Sequence, residues 1–419
     1  MFVRQLVLRD FRSWREVDLT LRPGPTIFVG RNGFGKTNLI EALYYVATLR
    51  SHRVSQDAPL IRRECSSAQV TATIENAGRE LTVGVTINAD GRNTATINTA
   101  PTRRPREVIG ILRTVLFAPE DLSLVRGEPS DRRRFLDELV AQRGPRYVAA
   151  RSDYDRVLRQ RSALLKTASA AMRRGGSDAD SVISTLDVWD AQLADLGAQV
   201  TAARLDVLAD LTPHFVESYA SIAPHSRPAD LRYRCVADPQ VQTATGADGR
   251  ADVDAISAVL HTRLGEIRSK EIDRGMCLVG PHRDDLDIVL GGDVAKGFAS
   301  HGESWSLALA LRLGSVELWR SEGTEPVIML DDVFAELDRA RRTTLAEFTA
   351  GAEQLLVTAA VAEDIPDTIG GRRVGVDLVE DNEGRYSVAD ATDAADADGA
   401  SELPVSDAIS PAADGEELR

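Results

Sequence analysis

An eight-residue segment near the start of the chain limits the fold more than any other feature. Residues 30–37 read Gly-Arg-Asn-Gly-Phe-Gly-Lys-Thr and match the pattern Gly-x4-Gly-Lys-[Ser/Thr]. The apolar run Thr26–Val29 before it predicts a buried strand, and a helix is predicted from about Lys36 to Ala47. A glycine-rich turn between a strand and a helix presents backbone N–H groups and the positive helix end to phosphate. The segment therefore predicts a nucleotide-phosphate loop.

The positions of this loop have distinct predicted roles. Lys36 is one of only four lysines among 50 basic residues, and its ammonium is expected to reach the β- and γ-phosphate oxygens. Thr37 is expected to ligate Mg²⁺ through its hydroxyl. The predicted cofactors are therefore ATP and Mg²⁺. The loop residues expected to bind the nucleotide are Gly30, Arg31, Asn32, Gly33, Phe34, Gly35, Lys36, Thr37 and Asn38.

A second apolar strand, residues 326–330, ends in two adjacent acids. This is the Walker B pattern that accompanies a phosphate loop in P-loop ATPases. Asp331 is predicted to hold Mg²⁺ through water, and Asp332 is predicted to polarise the attacking water. The predicted catalytic residues are thus Lys36, Asp331 and Asp332, and the predicted metal ligands are Thr37 and Asp331.

A Ser-x-Gly-Glu segment, Ser300 to Glu303, lies directly ahead of a leucine-rich helix. Alone it predicts ordinary helix capping, because Ser300 and Glu303 have the spacing of a capping box. Its place in the chain adds a functional interpretation. A phosphate loop, a long insertion, this segment, the Walker B strand and then residues 335–338 follow the order of an ABC-type ATPase. Ser300, Gly302 and Glu303 are therefore predicted to contact nucleotide.

In this order the chain resembles the ABC-type ATPase heads of the SMC-like superfamily, and within them the RecF family. The resemblance covers roughly residues 1–388. It implies an α/β fold, an ABC-type P-loop head made of a mixed-sheet lobe and an antiparallel β lobe, with an inserted helical arm domain. Outside the nucleotide motifs, RecF-like runs occur at residues 11–14, 51–53, 117–122, 127–129, 132–137 and 280–286, and the last of these is the most specific to the family.

The resemblance also implies a function. In this family an ATP-dependent homodimer forms, and each P-loop nucleotide is closed off by Ser300 and Gly302 of the opposite subunit. It implies weak, DNA-stimulated ATP hydrolysis and binding to double-stranded DNA, gaps and single/double-strand junctions in recombinational repair, replication restart and the SOS response. The resemblance also implies RecR and RecO-like partners and a role in helping to load RecA. It implies no membrane partner and a cytoplasmic, nucleoid-associated location. Arg12 is expected near the base or ribose.

Two departures from transporter-type ABC ATPases predict slow hydrolysis. Ala359 stands where those proteins place a switch histidine, and Asp332 replaces their usual glutamate. For the glutamine-loop position of ABC ATPases, Glu120 is the preferred candidate and Gln69 is the second.

The chain divides into four predicted parts. These are residues 1–125 and 261–388, which form the ATPase head, residues 126–260 as a helical arm domain, and residues 389–419 as a disordered acidic tail. The arm is predicted to stay helical to Pro213, with one break at residues 175–178. A coiled-coil-like seam is predicted at Leu186, Trp189, Leu193, Leu196, Val200, Ala203 and Val207.

The net charge is −14, which alone argues against a nucleic-acid partner. The tail holds nine acids against one arginine, whereas residues 101–161 hold 14 arginines against nine acids. Arg132, Arg133 and Arg134 at the centre of that basic region are predicted either to contact DNA phosphates or to brace their helix against nearby acids. The three cysteines are far apart and are expected to be buried, reduced thiols.

Three other functions stay open at this stage. An SMC-type chromosome-maintenance ATPase is disfavoured because only 293 residues separate Thr37 from Asp331, too few for a long coiled coil. An ABC transporter nucleotide-binding subunit has no place for the helical arm. A scaffold with structural ATP would lack the switch behaviour.

Overall fold

The computed structural model describes residues 1–173, 179–239, 241, 244–382 and 384–390. The strands are β1 (Phe2–Phe11), β2 (Trp14–Thr20), β3 (Gly24–Val29), β4 (Ser67–Asn76), β5 (Arg79–Asn88), β6 (Thr94–Ile97), β7 (Ala100–Pro101), β8 (Thr114–Phe117), β9 (Ala229–Arg234), β10 (Asp285–Leu290), β11 (Asp293–Val294), β12 (Val327–Asp331), β13 (Gln354–Ala359), β14 (Arg372–Asp381) and β15 (Gly384–Asp390). The helices are α1 (Lys36–Thr48), α2 (Leu122–Arg126), α3 (Pro129–Arg143), α4 (Pro145–Arg173), α5 (Ala179–Ile222), α6 (Val253–Arg274), α7 (His301–Ser321), α8 (Val333–Glu336) and α9 (Arg339–Thr349).

Twelve strands form one continuous sheet in the order β7-β6-β5-β4-β1-β2-β15-β14-β3-β13-β12-β8. The strands from β14 to β8 in this order run parallel, whereas those from β7 to β2 pair antiparallel. The antiparallel hairpin of β14 and β15 joins the two halves. A separate three-stranded sheet has the order β11-β10-β9. The predicted combination of a mixed sheet and an antiparallel lobe is thus confirmed.

The burial of the strands follows their position in the sheet. Every residue of β12 and β13 is buried, as expected for central parallel strands covered on both faces. β1 and β4 instead alternate between buried and less buried residues, because an antiparallel lobe needs only one face in the core. Helix α1 is buried along most of its length and lies against this lobe.

The helical region has more interruptions than the sequence predicts. The stretch after β8 contains further interruptions, since α2 ends at Gly127 and α3 ends at Gly144. The predicted break at residues 175–178 lies outside the described residues. The predicted seam packs as expected at Leu186, Val200 and Val207, which are 0% exposed. The seam lies within a helical unit made of α3, α4, α5 and α6, which contact one another. Helix α5 also packs against α7 of the head.

The prediction that Pro213 ends the helix is wrong, because α5 continues to Ile222. A proline inside a helix removes one backbone hydrogen bond and disfavours the preceding turn. Packing of the following turn outweighs this cost, since Phe215 is fully buried. At this point α5 approaches α7 so closely that a Cβ on Gly314 would lie 2.9 Å from the Phe215 nitrogen. Tertiary contact therefore carries the helix across the proline.

Residues 280–286 form the junction between the helical unit and the small sheet. His282 Nδ1 lies 2.6 Å from the Tyr154 hydroxyl oxygen, and burial lowers the pKa of His282 to about 3. Asp284 is 0% exposed and accepts hydrogen bonds from the Tyr233 hydroxyl and the Val236 N–H, both at 2.8 Å. The most family-specific run of the sequence therefore has a structural role.

This junction corrects part of the predicted DNA surface. Arg132 is 5% exposed, and its Nε and Nη2 donate to the two carboxylate oxygens of Asp285 at 2.9 Å. Arg133 is half-buried and donates to the Asp284 carbonyl oxygen at 2.8 Å. Both side chains brace α3 against β10. The DNA contact predicted for the buried Arg132 is therefore corrected, while that of the half-buried Arg133 stays a prediction. Arg134 is exposed, and its contact with DNA stays a prediction.

The other boundaries shift slightly. The predicted boundary after residue 260 falls inside α6, so the helical unit extends past it. Ala389 and Asp390 belong to β15, and the remaining tail, residues 391–419, lies outside the described residues. Cys235 and Cys277 are buried as expected, but Cys65 is only partly buried. No helix among the described residues is long and apolar enough to cross a membrane.

Arg204 provides a test of how the helical unit is held. Its side chain is 0% exposed, and it donates to Asp137 Oδ1 and to the Pro281 carbonyl oxygen, both at 2.7 Å. Arg204→Met removes one of the two arginine partners of Asp137 and the donor to the Pro281 carbonyl oxygen in a buried site, so we expect a loss of about 3 kcal/mol in the free energy of unfolding. Urea unfolding followed by circular dichroism measures it.

The matched control is Arg156→Met, which removes an arginine that is 60% exposed and pairs with Asp153 on the surface. It should change the free energy of unfolding by less than about 1 kcal/mol. Equal midpoints for the two variants would contradict the structural role of Arg204.

Candidate nucleotide-binding site

The predicted site residues meet at the carboxyl ends of three parallel strands. β3 leads into the phosphate loop, β12 ends in Asp331, and β13 carries Thr358. Asp331 and Thr358 are direct register partners, and Thr358 is the partner of Phe28 on its other side. Parallel strands place their carboxyl ends at one edge, where α/β proteins bind ligands. Residues 294 positions apart are brought together in this way.

The phosphate loop has the backbone that its glycines permit. Gly33 and Gly35 have φ angles of 84° and 103°, which residues other than glycine rarely adopt. Gly35 is the N-cap of α1, so the loop ends at the positive end of that helix. Lys36 Nζ donates to the Gly30 carbonyl oxygen at 2.7 Å and thus lies over the loop.

Asp331 is the central carboxylate of the site. Its Oδ1 accepts hydrogen bonds from the hydroxyls of Thr37 at 2.9 Å and Thr358 at 2.7 Å. The Nε2 atom of His52 lies 3.7 Å from Oδ2. Burial raises the pKa of Asp331, but the nearby imidazole and the two hydroxyls together outweigh it and lower the pKa below its usual value. The carboxylate is therefore held ionised.

Thr37 and Asp331 fit a magnesium ion chemically. Both present oxygen atoms, which Mg²⁺ prefers, and such ions in nucleotide sites take only one or two protein ligands beside phosphates. The hydroxyl and the carboxylate already lie 2.9 Å apart. These two side chains would hold the ion, as the sequence predicts.

Asp332 is placed differently from its neighbour. It adopts φ 48°, a left-handed backbone conformation that is uncommon for aspartate and is found at functional sites. Burial, with a further contribution from Asp331, raises the pKa of Asp332, although Lys36 opposes the shift. Its backbone N–H donates to the Thr358 hydroxyl at 2.9 Å. Thr358, which sequence reasoning missed, therefore links both acids.

A cavity of about 710 Å³ lies in front of the phosphate loop. Its wall includes Lys36 and the guanidinium side chains of Arg12, Arg53, Arg62, Arg63 and Arg385, against two acids, Glu64 and Asp332. Among the described residues, six cations against two acids favour a polyanionic ligand. Of the predicted binding residues, those that line the cavity are Arg12, Asn32, Gly33, Gly35, Lys36, Thr37, Asn38 and Asp332.

Glu41 is a site residue that sequence reasoning missed. It is 0% exposed, and both of its oxygens accept from Arg12, at 2.8 Å and 2.6 Å. Ser51 also donates to it at 2.5 Å. The pair fixes Arg12 in the cavity wall, where its contact with the base or ribose stays a prediction. A carboxylate inside an amphipathic helix gives no sequence signal for this role.

The Ser300 segment caps α7 as predicted. Ser300 Oγ accepts from the Glu303 N–H at 3.3 Å, and Glu303 Oε2 accepts from the Ser300 N–H at 2.8 Å. Arg341 on α9 donates to the Gly302 carbonyl oxygen at 2.9 Å, which connects the segment to residues 335–338 just before that helix. Ser300 is exposed, and residues 300–303 are absent from the described wall of the 710 Å³ cavity.

The glutamine-loop assignments gain nothing from the structure. Glu120 and Gln69 are both exposed, and the described wall of the large cavity contains neither of them. Ala359 ends β13 beside Val29, so the residue at this strand end is not itself a histidine.

The fold and the site together define an ABC-type P-loop ATPase head. Residues 2–382 match the sequence family described as the RecF/RecN/SMC N terminal domain. The chain is 58% identical over 393 residues to the DNA replication and repair protein RecF of Rhodococcus erythropolis, covering 92% of this chain and 96% of that protein. The chain therefore belongs to the RecF family of DNA replication and repair proteins.

Solved structures agree with this fold. Two structures of the recombination mediator protein RecF in the RecFOR pathway, one with ATP, superimpose with a TM-score of 0.77 and 24% sequence identity. Each comparison covers 89% of this chain and 95% of the other.

Thr358→Val tests the link between the two acids. The change removes the hydroxyl that binds Asp331 and accepts from the Asp332 N–H. A hydrogen bond to a charged group contributes about 1.5–3 kcal/mol, so we expect kcat for ATP hydrolysis to fall at least about tenfold. The measurement is steady-state phosphate release.

Thr349→Val is the matched control, because Thr349 is equally buried and its hydroxyl contacts only backbone carbonyl oxygens within α9, those of Leu345 and Ala346. Its kcat should match that of the wild type. A Thr358→Val enzyme within twofold of the control would show that the two acids do not depend on this hydroxyl.

Proposed function

We propose that this chain is an ATP-dependent DNA clamp that forms a homodimer with ATP and Mg²⁺ and hydrolyses ATP slowly. It acts at gapped DNA or at single/double-strand junctions in recombinational repair and replication restart. Its place in the family and the ATP in a related RecF structure support the nucleotide. Lys36, Thr37 and Asp331 would bind ATP and Mg²⁺, and Asp332 would orient the attacking water.

The separation of the Ser300 segment from the cavity carries this proposal. Residues 300–303 lie at an exposed helix N-terminus, outside the described wall of the cavity that holds Lys36. A second copy of the chain would bring its own Ser300 and Gly302 to that cavity. If ATP bridges two chains in this way, nucleotide binding and association are thermodynamically linked. Hydrolysis then loosens the clamp.

Slow hydrolysis follows from the residues around the γ-phosphate position. Position 359 is an alanine where transporter-type ABC ATPases have a histidine, and the aspartate at 332 is one methylene shorter than a glutamate. Turnover stimulated by DNA would then report that DNA favours the closed dimer.

The partners belong to the same proposal. The family's role supports double-stranded and gapped DNA as ligands, and RecR and RecO-like proteins as partners in placing RecA. A cytoplasmic, nucleoid-associated location follows from these partners. An SMC-type or transporter-type ATPase is a weaker alternative, because the 58% identical relative is a repair protein.

Ser300→Arg tests the closed dimer. An arginine at this exposed N-cap puts bulk and charge where the second copy would meet the nucleotide. By light scattering, the wild type should double its mass only with ATP and Mg²⁺, more readily with a short gapped duplex, while Ser300→Arg should stay a monomer.

Ser321→Arg is the control, since it lies at the other end of the same helix, about 30 Å away. It should dimerise like the wild type. A wild-type mass that ignores ATP would remove the clamp mechanism, and a Ser300→Arg protein that still dimerises would place the interface elsewhere.

Arg134→Ala tests the part of the DNA surface that stays exposed. Log affinity falls with log salt concentration, and each phosphate neutralised makes this slope steeper by about 0.9. The variant should therefore have a slope that is shallower by about that amount. Arg232→Ala, which removes a cation that is 56% exposed on β9, should leave it unchanged. Fluorescence anisotropy with gapped DNA at several salt concentrations measures both, and an unchanged slope for Arg134→Ala clears this residue.

A further inference from the structure

The last described strand touches the phosphate loop from behind. Ser387 on β15 is 0% exposed, and its hydroxyl donates to the Phe34 carbonyl oxygen at 2.6 Å. Ser387 Oγ also lies 2.7 Å from Ser13 Oγ, and Ser13 in turn accepts from the Asn38 amide at 2.8 Å. A line of polar side chains thus runs from Asn38 at the start of α1 to Ser13 and Ser387, two residues that lie outside the phosphate-loop and Walker B motifs.

Peptide geometry gives this contact a consequence for phosphate. The peptide between Phe34 and Gly35 is planar and trans, so its N–H points opposite to its carbonyl. Because Ser387 fixes that carbonyl toward the sheet, the Gly35 N–H is fixed toward the inside of the loop. Trp14 does the same for the next peptide, since its Nε1 donates to the Gly35 carbonyl oxygen at 3.0 Å. The Lys36 N–H is thereby directed inward as well.

Steric contact supports the same arrangement. A Cβ on Gly35 would lie 2.4 Å from Ser387 Oγ and 2.7 Å from Ser13 Oγ. The hydroxyls therefore occupy the space that glycine leaves open. Ser387 is also the residue through which β15 pairs with β2, opposite Trp14. The brace and the junction between the two halves of the sheet are the same place.

We propose that Ser387 is a positioning residue of the nucleotide site, which presets the Gly35 N–H toward the β-phosphate before ATP binds. The inference rests on the proposed binding of ATP by this loop. A preset donor costs less to order on binding than a free one. Its benefit belongs to ligands that carry a β-phosphate, which means ATP and ADP but not adenosine.

Ser387→Ala tests this positioning by calorimetric titration with MgATP, MgADP and adenosine. We expect Kd for MgADP and MgATP to rise about tenfold, the size of one hydrogen bond, with kcat and the adenosine Kd unchanged. Ser387→Thr keeps the hydroxyl and should restore the nucleotide Kd to within about threefold of the wild type.

Ser315→Ala is the matched control, because Ser315 is 1% exposed and its hydroxyl binds the Leu311 carbonyl oxygen inside α7. It should bind all three ligands like the wild type. A Ser387→Ala protein that binds MgADP within twofold of the wild type, or that loses adenosine equally, overturns the positioning role. A wild-type protein that binds neither MgATP nor MgADP overturns the proposed function itself, and the positioning role with it.

Discussion

One buried carboxylate holds together three parts of the nucleotide site that are remote in sequence. Asp331 accepts from Thr37 at the start of α1 and from Thr358 near the end of β13. Parallel pairing permits this, because β12 and β13 end side by side. Burial requires it, since an ionised side chain that is 4% exposed must replace lost water with hydrogen bonds. Thr37 at the end of the phosphate loop contacts this group directly, and Asp332 is connected to it through Thr358.

A second set of charges holds the helices of the helical unit together. Arg161 and Arg204 are 0% exposed, and each pairs with a buried or mostly buried aspartate. Arginine suits such sites because its planar, permanently charged fork binds carboxylates and carbonyls in fixed directions. The long helix α5 also meets α7 without a gap at Gly314. Since α7 begins at the Ser300 segment, the helical unit packs directly on the helix that carries the surface proposed to meet ATP.

The sequence was sufficient wherever a function depends on neighbouring residues. The phosphate loop, the two acids after β12 and the Ser300 cap are local patterns, and each lies where its spacing predicts. Prediction failed where distant contacts decide the outcome. Pro213 lies inside a helix because α7 packs beside it, and Arg132 is buried because Asp285, 153 positions away, pairs with it. An arginine-rich helix looks the same in sequence whether its partner is a phosphate or a distant carboxylate.

The brace behind the phosphate loop belongs to the same class of distant contacts. The phosphate-loop motif ends at Thr37, yet the hydroxyl that orients the Phe34 carbonyl comes from Ser387, 353 positions after Phe34. Contacts of such separation require closure of a long loop and form late compared with local ones. Residues 1–125 alone therefore contain the whole motif but lack the Ser387 contact that orients the Phe34–Gly35 peptide. Full affinity for the nucleotide then requires the completed fold. A chain that lacks β15 would therefore bind ATP more weakly than the full chain.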